Sequence, residues 1–159
     1  MILTVAVVGC GDVPGGEPCA GAACGPGARV ALTAQAGFGV LRCQGEATDC
    51  VIDFGVVAPG ESVESWTDLT NTGDQTLQLR AFELSGPVFE AQLPAVELEP
   101  GEALSFRVRA RLDQASSSEE RSLRLESNAV NGASAEGCDD PASPCRAVSI
   151  LLKVRTDSS

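Results

Sequence analysis

Apolar and polar residues alternate along several short stretches of the chain, and the clearest of these begins at Leu104. From there to Leu112, apolar residues occupy every second position, and serine or arginine occupies each of the four positions between them. Strict alternation of this kind is typical of a β-strand with one buried face and one solvated face. Residues 104–112 are therefore predicted to form a half-buried strand.

The same period of two recurs on both sides of this stretch. After it, Leu123 and Leu125 alternate with polar residues, and aliphatic residues occupy every second position from Val148 to Val154. Before it, the candidate strands are RVALTA, GFGVLR, VIDFGVV, SVESWTDLT and TLQLRAFEL. Turn sequences such as APGE, NTGD and EPGE separate them, and no segment shows convincing helical periodicity. We therefore predict an all-β chain that folds as a single antiparallel β-sandwich of seven to eight strands.

Residues 51–154 also resemble a known family, the Ig-like modules named ASH (ASPM and hydin type) or choice-of-anchor D domains. The resemblance is carried by short motifs in a fixed order. In this chain they are DFG at 53–55, PGE at 59–61, LTNTG at 69–73, Phe89, PGE at 100–102 and SN at 127–128. The resemblance implies an Ig-like sandwich, with a strand that ends near Phe89 and a final pair of strands around the SN motif.

Backbone requirements account for the turn motifs without any function. In the two Pro-Gly pairs, proline fixes φ and the following glycine permits a left-handed backbone. In LTNTG, Asn71 tolerates that conformation and Gly73 adopts it freely. We therefore interpret these motifs as structural turns.

The chain departs from the resembled family at two places. Thr67 occupies an inward position where the family usually has an aliphatic residue, so the adjacent Trp66 is expected to point outward. The segment AEGCDDPASPC is an insertion in the final hairpin, which is usually short in the family.

Composition narrows the range of functions. The 159 residues carry 22 acidic and 11 basic side chains, and the formal net charge of -11 repels the phosphates of nucleic acids and the headgroups of anionic lipids. The chain has no histidine, which removes the usual general base and every imidazole metal ligand. We predict no nucleic-acid partner, no cofactor, no metal and no catalytic activity.

Six of the seven cysteines form pairs that are close in sequence, and each pair lies in a loop-like stretch. The pairs are Cys19 with Cys24, Cys43 with Cys50, and Cys138 with Cys145. Disulfides are the favoured interpretation, although six cysteines allow 15 connectivities and local pairing is only the simplest of them. Zinc is the competing interpretation, but each pair has four or six intervening residues instead of the usual two. Disulfides imply an oxidising compartment outside the cytoplasm.

The seventh cysteine, Cys10, follows an apolar run and the residues Val7, Val8 and Gly9. This stretch resembles the bacterial lipobox, which implies cleavage before Cys10 and acylation of its thiol and new amino terminus. The alternative is a first strand at residues 2–8 and a buried or free thiol. Because the next residue is Gly11 and not an acid, the resemblance also implies an outer-membrane lipoprotein. We accordingly divide the chain into a truncated signal peptide at 1–9, a lipidated cysteine with a Gly/Pro-rich spacer at 10–27, and the Ig-like domain at 28–159.

Four outward side chains are candidates for a partner surface. Arg107, Arg109 and Arg111 line one strand face, with Arg124 expected beside them, and could bind an anionic ligand. The stronger alternative is that they pair with acids on neighbouring strands. Trp66 could anchor a partner, or the Gly-rich N-terminal segment could cover it.

Three acids in the last insertion, Glu136, Asp139 and Asp140, have the oxygen ligands that calcium prefers. They lack an EF-hand register, so ordinary loop solvation is the favoured interpretation.

The sequence therefore predicts a lipid-anchored extracytoplasmic Ig-like module in the cell envelope, held to the membrane by acyl chains. It would serve protein binding, adhesion or envelope assembly, and its protein partner is not identified. The first alternative is a secreted or periplasmic binding module without lipid. A more remote alternative is a glycosidase that uses two carboxylates, which would need a cleft with two acids several ångströms apart.

Overall fold

The computed structural model describes residues 27–35, 39–44, 49–134 and 146–157, and the regular elements within these ranges are all β-strands. They are β1 (Val30–Ala34), β2 (Val40–Gln44), β3 (Asp49–Val57), β4 (Ser62–Asn71), β5 (Leu77–Leu79), β6 (Phe82–Leu84), β7 (Phe89–Leu93), β8 (Val96–Leu98), β9 (Ala103–Arg111), β10 (Ser118–Ser127), β11 (Ala133–Ser134) and β12 (Arg146–Thr156). Eight of these have five or more residues, which agrees with the predicted seven to eight strands, and the other four have only two or three.

The strands form two sheets. The first sheet has the order β1-β4-β9-β7-β6, and the second has the order β2-β3-β12-β10-β5-β8, with β11 paired to β12. The predicted Ig-like sandwich is confirmed, with one refinement: β12 runs parallel to β3, whereas the other described pairs are antiparallel. A parallel pair needs a long crossover connection, and the whole chain between β3 and β12 supplies it.

The core lies between the sheets, and the alternating stretches supply it. On β9, Phe106, Val108 and Ala110 are buried while the residues between them are more exposed. On β12, the aliphatic residues at every second position from Val148 to Val154 are at most 2% exposed. Each such side chain contributes about 1.5–3 kcal/mol when it leaves water. The predicted inward rows of both strands are therefore confirmed.

The stretch TLQLRAFEL does not form one strand as predicted. It splits into β5, in the second sheet, and β6, in the first. Leu77 and Leu79 are buried on β5, whereas Phe82 is half-buried on β6 and three positions after Leu79. In one continuous strand, side chains that face inward are an even number of residues apart. Leu79 and Phe82 are three residues apart, so they cannot both face inward from the same strand. The chain crosses between the sheets at Arg80 and Ala81.

Phe89 also differs from expectation, because it begins β7 instead of ending a strand. Phe89 is 3% exposed and its ring centroid lies 6.4 Å from that of Phe54. Its role is to fill the core between the two sheets.

The DFG motif forms a β-bulge on β3. The Oδ1 atom of Asp53 accepts a hydrogen bond of 2.8 Å from the backbone N–H of Gly55, whose φ is 71°. The pairing of β3 with β12 shifts by one residue at this point, between Lys153 and Arg155. A bulge of this kind inserts one extra residue and increases the local twist. Glycine is suited to the site because it adopts a positive φ without strain.

The two Pro-Gly turns have the predicted backbone. Gly60 has a φ of 80° and Gly101 a φ of 86°. In each turn, the preceding proline fixes its own φ and the glycine reverses the chain direction.

The explanation predicted for LTNTG is wrong. Neither Asn71 nor Gly73 has a positive φ. Asn71 is instead fully buried, and its side-chain amide both accepts and donates hydrogen bonds. Its Oδ1 atom accepts from the N–H groups of Gly73 (3.0 Å) and Arg29 (3.4 Å), and its Nδ2 atom donates to the carbonyls of Gln75 (2.8 Å) and Leu98 (2.9 Å). The motif needs asparagine for its amide, not for a left-handed backbone.

Gly73 is needed for close approach. A Cβ atom at this position would lie 2.2 Å from the carbonyl oxygen of Gly27 and 2.6 Å from the backbone nitrogen of Arg29. Both neighbours are backbone atoms, which cannot move aside as a side chain can. Residues 27–29 therefore cross directly over Gly73.

Two loops hold residues 27–30 in this position. On one side, Gly27 donates to Asp74 Oδ1 (2.7 Å) and accepts from the N–H of Asp74 (3.2 Å), while the N–H of Thr72 donates to the carbonyl of Arg29 (2.9 Å). We name residues 27–30, with loops 71–74 and 130–131, the N-terminal clamp.

The second loop binds the same segment from the other side. The N–H of Val130 donates to the carbonyl of Ala28 (2.8 Å). The side chain of Asn131 accepts from the N–H of Val30 (3.0 Å) and donates to its carbonyl (2.8 Å), as a neighbouring strand would. The beginning of β1 is thus fixed from both sides.

A disulfide joins Cys43 and Cys50, which are directly paired residues on β2 and β3. This local pairing is the one predicted from the sequence, but the expected loop-like setting is wrong, because both cysteines lie within strands. Other predictions concern residues outside the described ranges and stay predictions. They are the signal segment at 1–9, the spacer up to residue 26, Cys10, Cys19, Cys24, Cys138 and Cys145.

Substitution of Gly73 by alanine is expected to destabilise the domain by about 2–3 kcal/mol, because the new Cβ collides with backbone of the N-terminal clamp. Gly86→Ala is the matched control, since a Cβ there would meet the carbonyl oxygen of Phe89 at an ordinary 3.5 Å. Urea unfolding of both variants measures the difference. Equal stability of the two variants would contradict the close approach at Gly73.

Candidate binding surface

The outward side of the first sheet carries the candidate residues. β4 and β9 lie next to one another in this sheet, and their buried residues alternate with more exposed ones. We name the outward side chains of these two strands the Trp66 face. It comprises Ser62, Glu64, Trp66, Asp68 and Thr70 on β4, and Ala103, Ser105, Arg107, Arg109 and Arg111 on β9.

Trp66 points outward, as expected from the sequence, and is 39% exposed. It is paired directly with Arg107 across the two strands, and the guanidinium carbon of Arg107 lies 6.0 Å from the ring centroid. A cation over an exposed tryptophan contributes about 0.5–1 kcal/mol. The ring is therefore held in place on one side and remains accessible to a partner.

The three arginines contact acidic side chains. Arg107 lies 3.1 Å from Glu64, Arg109 lies 3.4 Å from Glu90, and Arg111 lies 2.8 Å from Asp113. The side chains of all these pairs are at least 40% exposed, so each pair contributes at most about 1 kcal/mol.

These contacts favour the stronger of the two interpretations given by the sequence, in which the three arginines pair with acids instead of binding an anionic ligand. Arg109 also donates to Ser62 Oγ at 2.6 Å. Arg124 does not lie beside these arginines as expected. It belongs to β10 in the second sheet, where it is 3.9 Å from Glu126.

Asp68 has a different environment from the other acid of the Trp66 face. Its Oδ1 atom accepts hydrogen bonds from Gln35 Nε2 (2.6 Å) and from Ser105 Oγ, which also accepts from Gln35 at 3.0 Å. Both donors to the carboxylate are uncharged. In the part of the chain that the structure describes, Asp68 forms no ion pair, and its Oδ2 atom accepts no hydrogen bond.

Thr67 faces the core directly behind Trp66. It is fully buried, and its hydroxyl has no hydrogen-bond partner among the described residues. The inward position inferred from the sequence is therefore correct. A buried hydroxyl without a partner is destabilising, since it loses its hydration and gains nothing in return.

A shallow depression lies beside the arginines. It has a volume of about 350 Å³ and is lined by residues 86–88 and by Glu90, Arg109, Arg111 and Asp113. Both carboxylates in this lining already contact an arginine. A two-carboxylate glycosidase needs an acid and a base that can meet a sugar. This lining gives that alternative no support.

Within residues 27–35, 39–44, 49–134 and 146–157, no group of three His, Cys, Asp or Glu side chains could hold a metal ion. The calcium candidates Glu136, Asp139 and Asp140 lie outside these ranges. The same residues include no helix with the length and apolarity needed to cross a bilayer.

Comparisons with known proteins support the fold. The chain is similar to the ASH/PapD-like domain 7 of human CEP192, with 14% identity, 96% of each chain covered and a TM-score of 0.54. This similarity shows an ASH/PapD-like Ig fold, which agrees with the resemblance seen in the sequence, and it shows the fold alone. No protein-family model matches the chain, and no curated protein matches it in sequence.

Two further solved structures are less similar. WR4, a member of the MSP family from C. elegans, is 10% identical, with 63% of this chain and 91% of that chain covered and a TM-score of 0.43. The secreted serine protease VesC from Vibrio cholerae is 18% identical, with 65% of this chain and 21% of that chain covered and a TM-score of 0.41. Similarities this low carry no argument about function.

Substitution of Thr67 by valine, which has the same shape, is expected to stabilise the domain by about 1 kcal/mol, because it removes the unpartnered hydroxyl. Thr156→Val is the matched control. Its hydroxyl donates to the carbonyl of Gln114 (2.5 Å) and accepts from the N–H of Ser117 (3.0 Å), so its loss is expected to destabilise. Thermal unfolding measures both, and a loss of stability in Thr67→Val would contradict this assignment.

Proposed function

We propose that this chain is a lipid-anchored extracytoplasmic Ig-like module that binds a protein partner through the Trp66 face and has no catalytic activity. The observation that carries the proposal is the exposed Trp66, held by Arg107 between paired charges. Tryptophan and arginine are enriched among the residues that dominate binding energy at interfaces. Adhesion and envelope assembly are the two roles that such binding would serve.

The surroundings of Trp66 suit an interface. Hot-spot residues are typically ringed by polar contacts that exclude water without contributing much energy themselves. Around Trp66, the ion pair of Arg107 with Glu64 and the hydrogen-bonded group of Gln35, Asp68 and Ser105 are such contacts. Because these side chains are already ordered by one another, less conformational entropy is lost on binding.

The N-terminal clamp is consistent with an anchor on the N-terminal side of the domain. A segment that arrives from a lipidated Cys10 would meet the domain at residues 27–30, next to the Asn71 end of β4. Trp66 lies five residues back along β4, or about 17 Å at 3.3–3.4 Å per residue. The partner surface would therefore be separated from the membrane by part of the strand as well as by the spacer.

The disulfide between Cys43 and Cys50 favours an oxidising, extracytoplasmic compartment. The outer membrane is the proposed location, because Gly11 follows Cys10. A single acyl chain gives only marginal membrane binding, and the additional chains of a bacterial lipoprotein would make the attachment stable. The alternative without lipid keeps the same binding surface and leaves Cys10 as a thiol.

Photo-crosslinking in the cells that produce the protein tests the binding proposal. A photoreactive residue at position 66 is expected to give a discrete crosslinked product with another protein. The same residue at position 56 is the matched control, because Val56 is 51% exposed but lies on β3 in the second sheet. Equal crosslinking at both positions, or none at position 66, would contradict a partner surface at Trp66.

The same preparation tests the anchor. Intact-mass measurement of the protein extracted in detergent is expected to show cleavage before Cys10 and the added mass of acyl chains. An unmodified thiol at Cys10 would contradict the anchor and favour the secreted or periplasmic alternative, without affecting the crosslinking result.

A further inference from the structure

We infer that Trp66 and Asp68 together bind a basic side chain of the partner protein. This inference rests on the proposed function, and it specifies the chemistry of the group that the Trp66 face recognises. The argument depends on the position of the two side chains, on the hydrogen bonding of Asp68 and on the charge of its neighbours.

The indole ring and the carboxylate leave the same side of one strand. Trp66 and Asp68 are two residues apart on β4, so their Cα atoms are about 7 Å apart. A guanidinium or ammonium group within about 6 Å of the ring centroid is attracted by the ring. One cation between the two side chains would satisfy both interactions.

The carboxylate of Asp68 is oriented before any ligand arrives. Gln35 and Ser105 both donate to its Oδ1 atom, which fixes the group and leaves Oδ2 without a hydrogen-bond donor in the described part of the chain. Neither donor neutralises the charge. A fixed carboxylate with one oxygen available is suited to a charge-assisted hydrogen bond from a cation.

The other acids nearby are already paired. Glu64, the second acid of the Trp66 face, is 3.1 Å from Arg107, and Glu90, beyond β9, is 3.4 Å from Arg109. Asp68 is the acid of this face for which the described residues provide no cation. An incoming cation therefore gains a new ion pair at Asp68 without displacing an existing one.

The charges around the ring leave room for a cationic ligand. The guanidinium of Arg107 lies 6.0 Å from the Trp66 centroid, and its ion pair with Glu64 reduces its repulsion of an incoming cation. The formal net charge of the chain is -11, which attracts a cationic partner over longer distances and speeds its association.

The test is a titration of the full mature chain, in non-ionic detergent, with a tetra-arginine peptide. Trp66 is the only tryptophan and the chain has no tyrosine, so the change in indole emission is assigned to this site directly. We expect a saturable change that weakens as the salt concentration rises. A tetra-glutamate peptide at the same ionic strength is expected to give no saturable change.

Asp68→Asn is the decisive variant, because asparagine keeps an oxygen for Gln35 and Ser105 but removes the charge. We expect its affinity for tetra-arginine to fall at least fivefold. Glu97→Gln is the matched control, since it removes one negative charge from β8 in the second sheet, where Glu97 contacts Gln78. Its affinity is expected to stay close to that of the parent chain.

An equal loss of affinity for tetra-arginine in Asp68→Asn and Glu97→Gln would overturn the inference, because it would show that binding depends only on the overall negative charge. Saturable binding of tetra-glutamate would overturn it as well. If position 66 crosslinks to a partner but tetra-arginine does not bind, the inference fails while the proposed function stands. If position 66 gives no crosslink in cells, the proposed function fails, whatever the peptide does.

Discussion

The rest of the fold depends on the hydrogen bonds that the side chain of Asn71 forms. It lies at the end of β4 in the first sheet, donates to Leu98 on β8 in the second sheet, and accepts from Arg29 in the N-terminal segment. Its backbone N–H donates to Glu102 and its carbonyl accepts from Gly101, which holds the second PGE turn. The amide is fully buried, so its removal would leave the partner groups without a hydrogen bond. Each buried group left in this way destabilises the fold by about 1–3 kcal/mol.

The position of the proposed binding surface follows from this arrangement. Asn71 fixes the end of β4 and the place where the N-terminal segment meets the domain, and Trp66 and Asp68 lie on the same strand. The surface is therefore held at a set distance from the segment that would lead to the membrane. Gly73 allows this arrangement, because any larger residue would meet the backbone of Gly27. The LTNTG motif is thus a structural requirement for the position of the Trp66 face, although Thr70 is the one residue of the motif that belongs to that face.

Much of the fold could be predicted from the sequence, because burial in a sandwich imposes a period of two. The inward rows of β9 and β12 follow from that period, and the outward orientation of Trp66 follows from the inward position that the family resemblance implies for Thr67. The break between β5 and β6 could not be predicted, because apolar residues continue across it and only the order of buried and exposed positions changes. The local pairing of Cys43 with Cys50 could be predicted because the two cysteines are close in sequence, whereas their position opposite one another on two strands could not.

Other features depend on contacts between distant residues and could not be predicted. Local turn chemistry offers a sufficient explanation for Asn71, whereas two of its side-chain partners, Leu98 and Arg29, are 27 and 42 residues away. The environment of Asp68 depends on the register of β4 with β9, which places Ser105 directly opposite it. The sequence contains no signal that distinguishes Asp68 from Glu64, which lies four residues earlier on the same strand.

Amide hydrogen exchange of Asn71→Ala, compared with the parent chain, tests the central role of this side chain most directly. The account predicts that protection falls in both Val30–Ala34 of the first sheet and Val96–Leu98 of the second, because one amide links the two regions. Loss of protection confined to residues 71–75, with both strands as protected as in the parent, would contradict it.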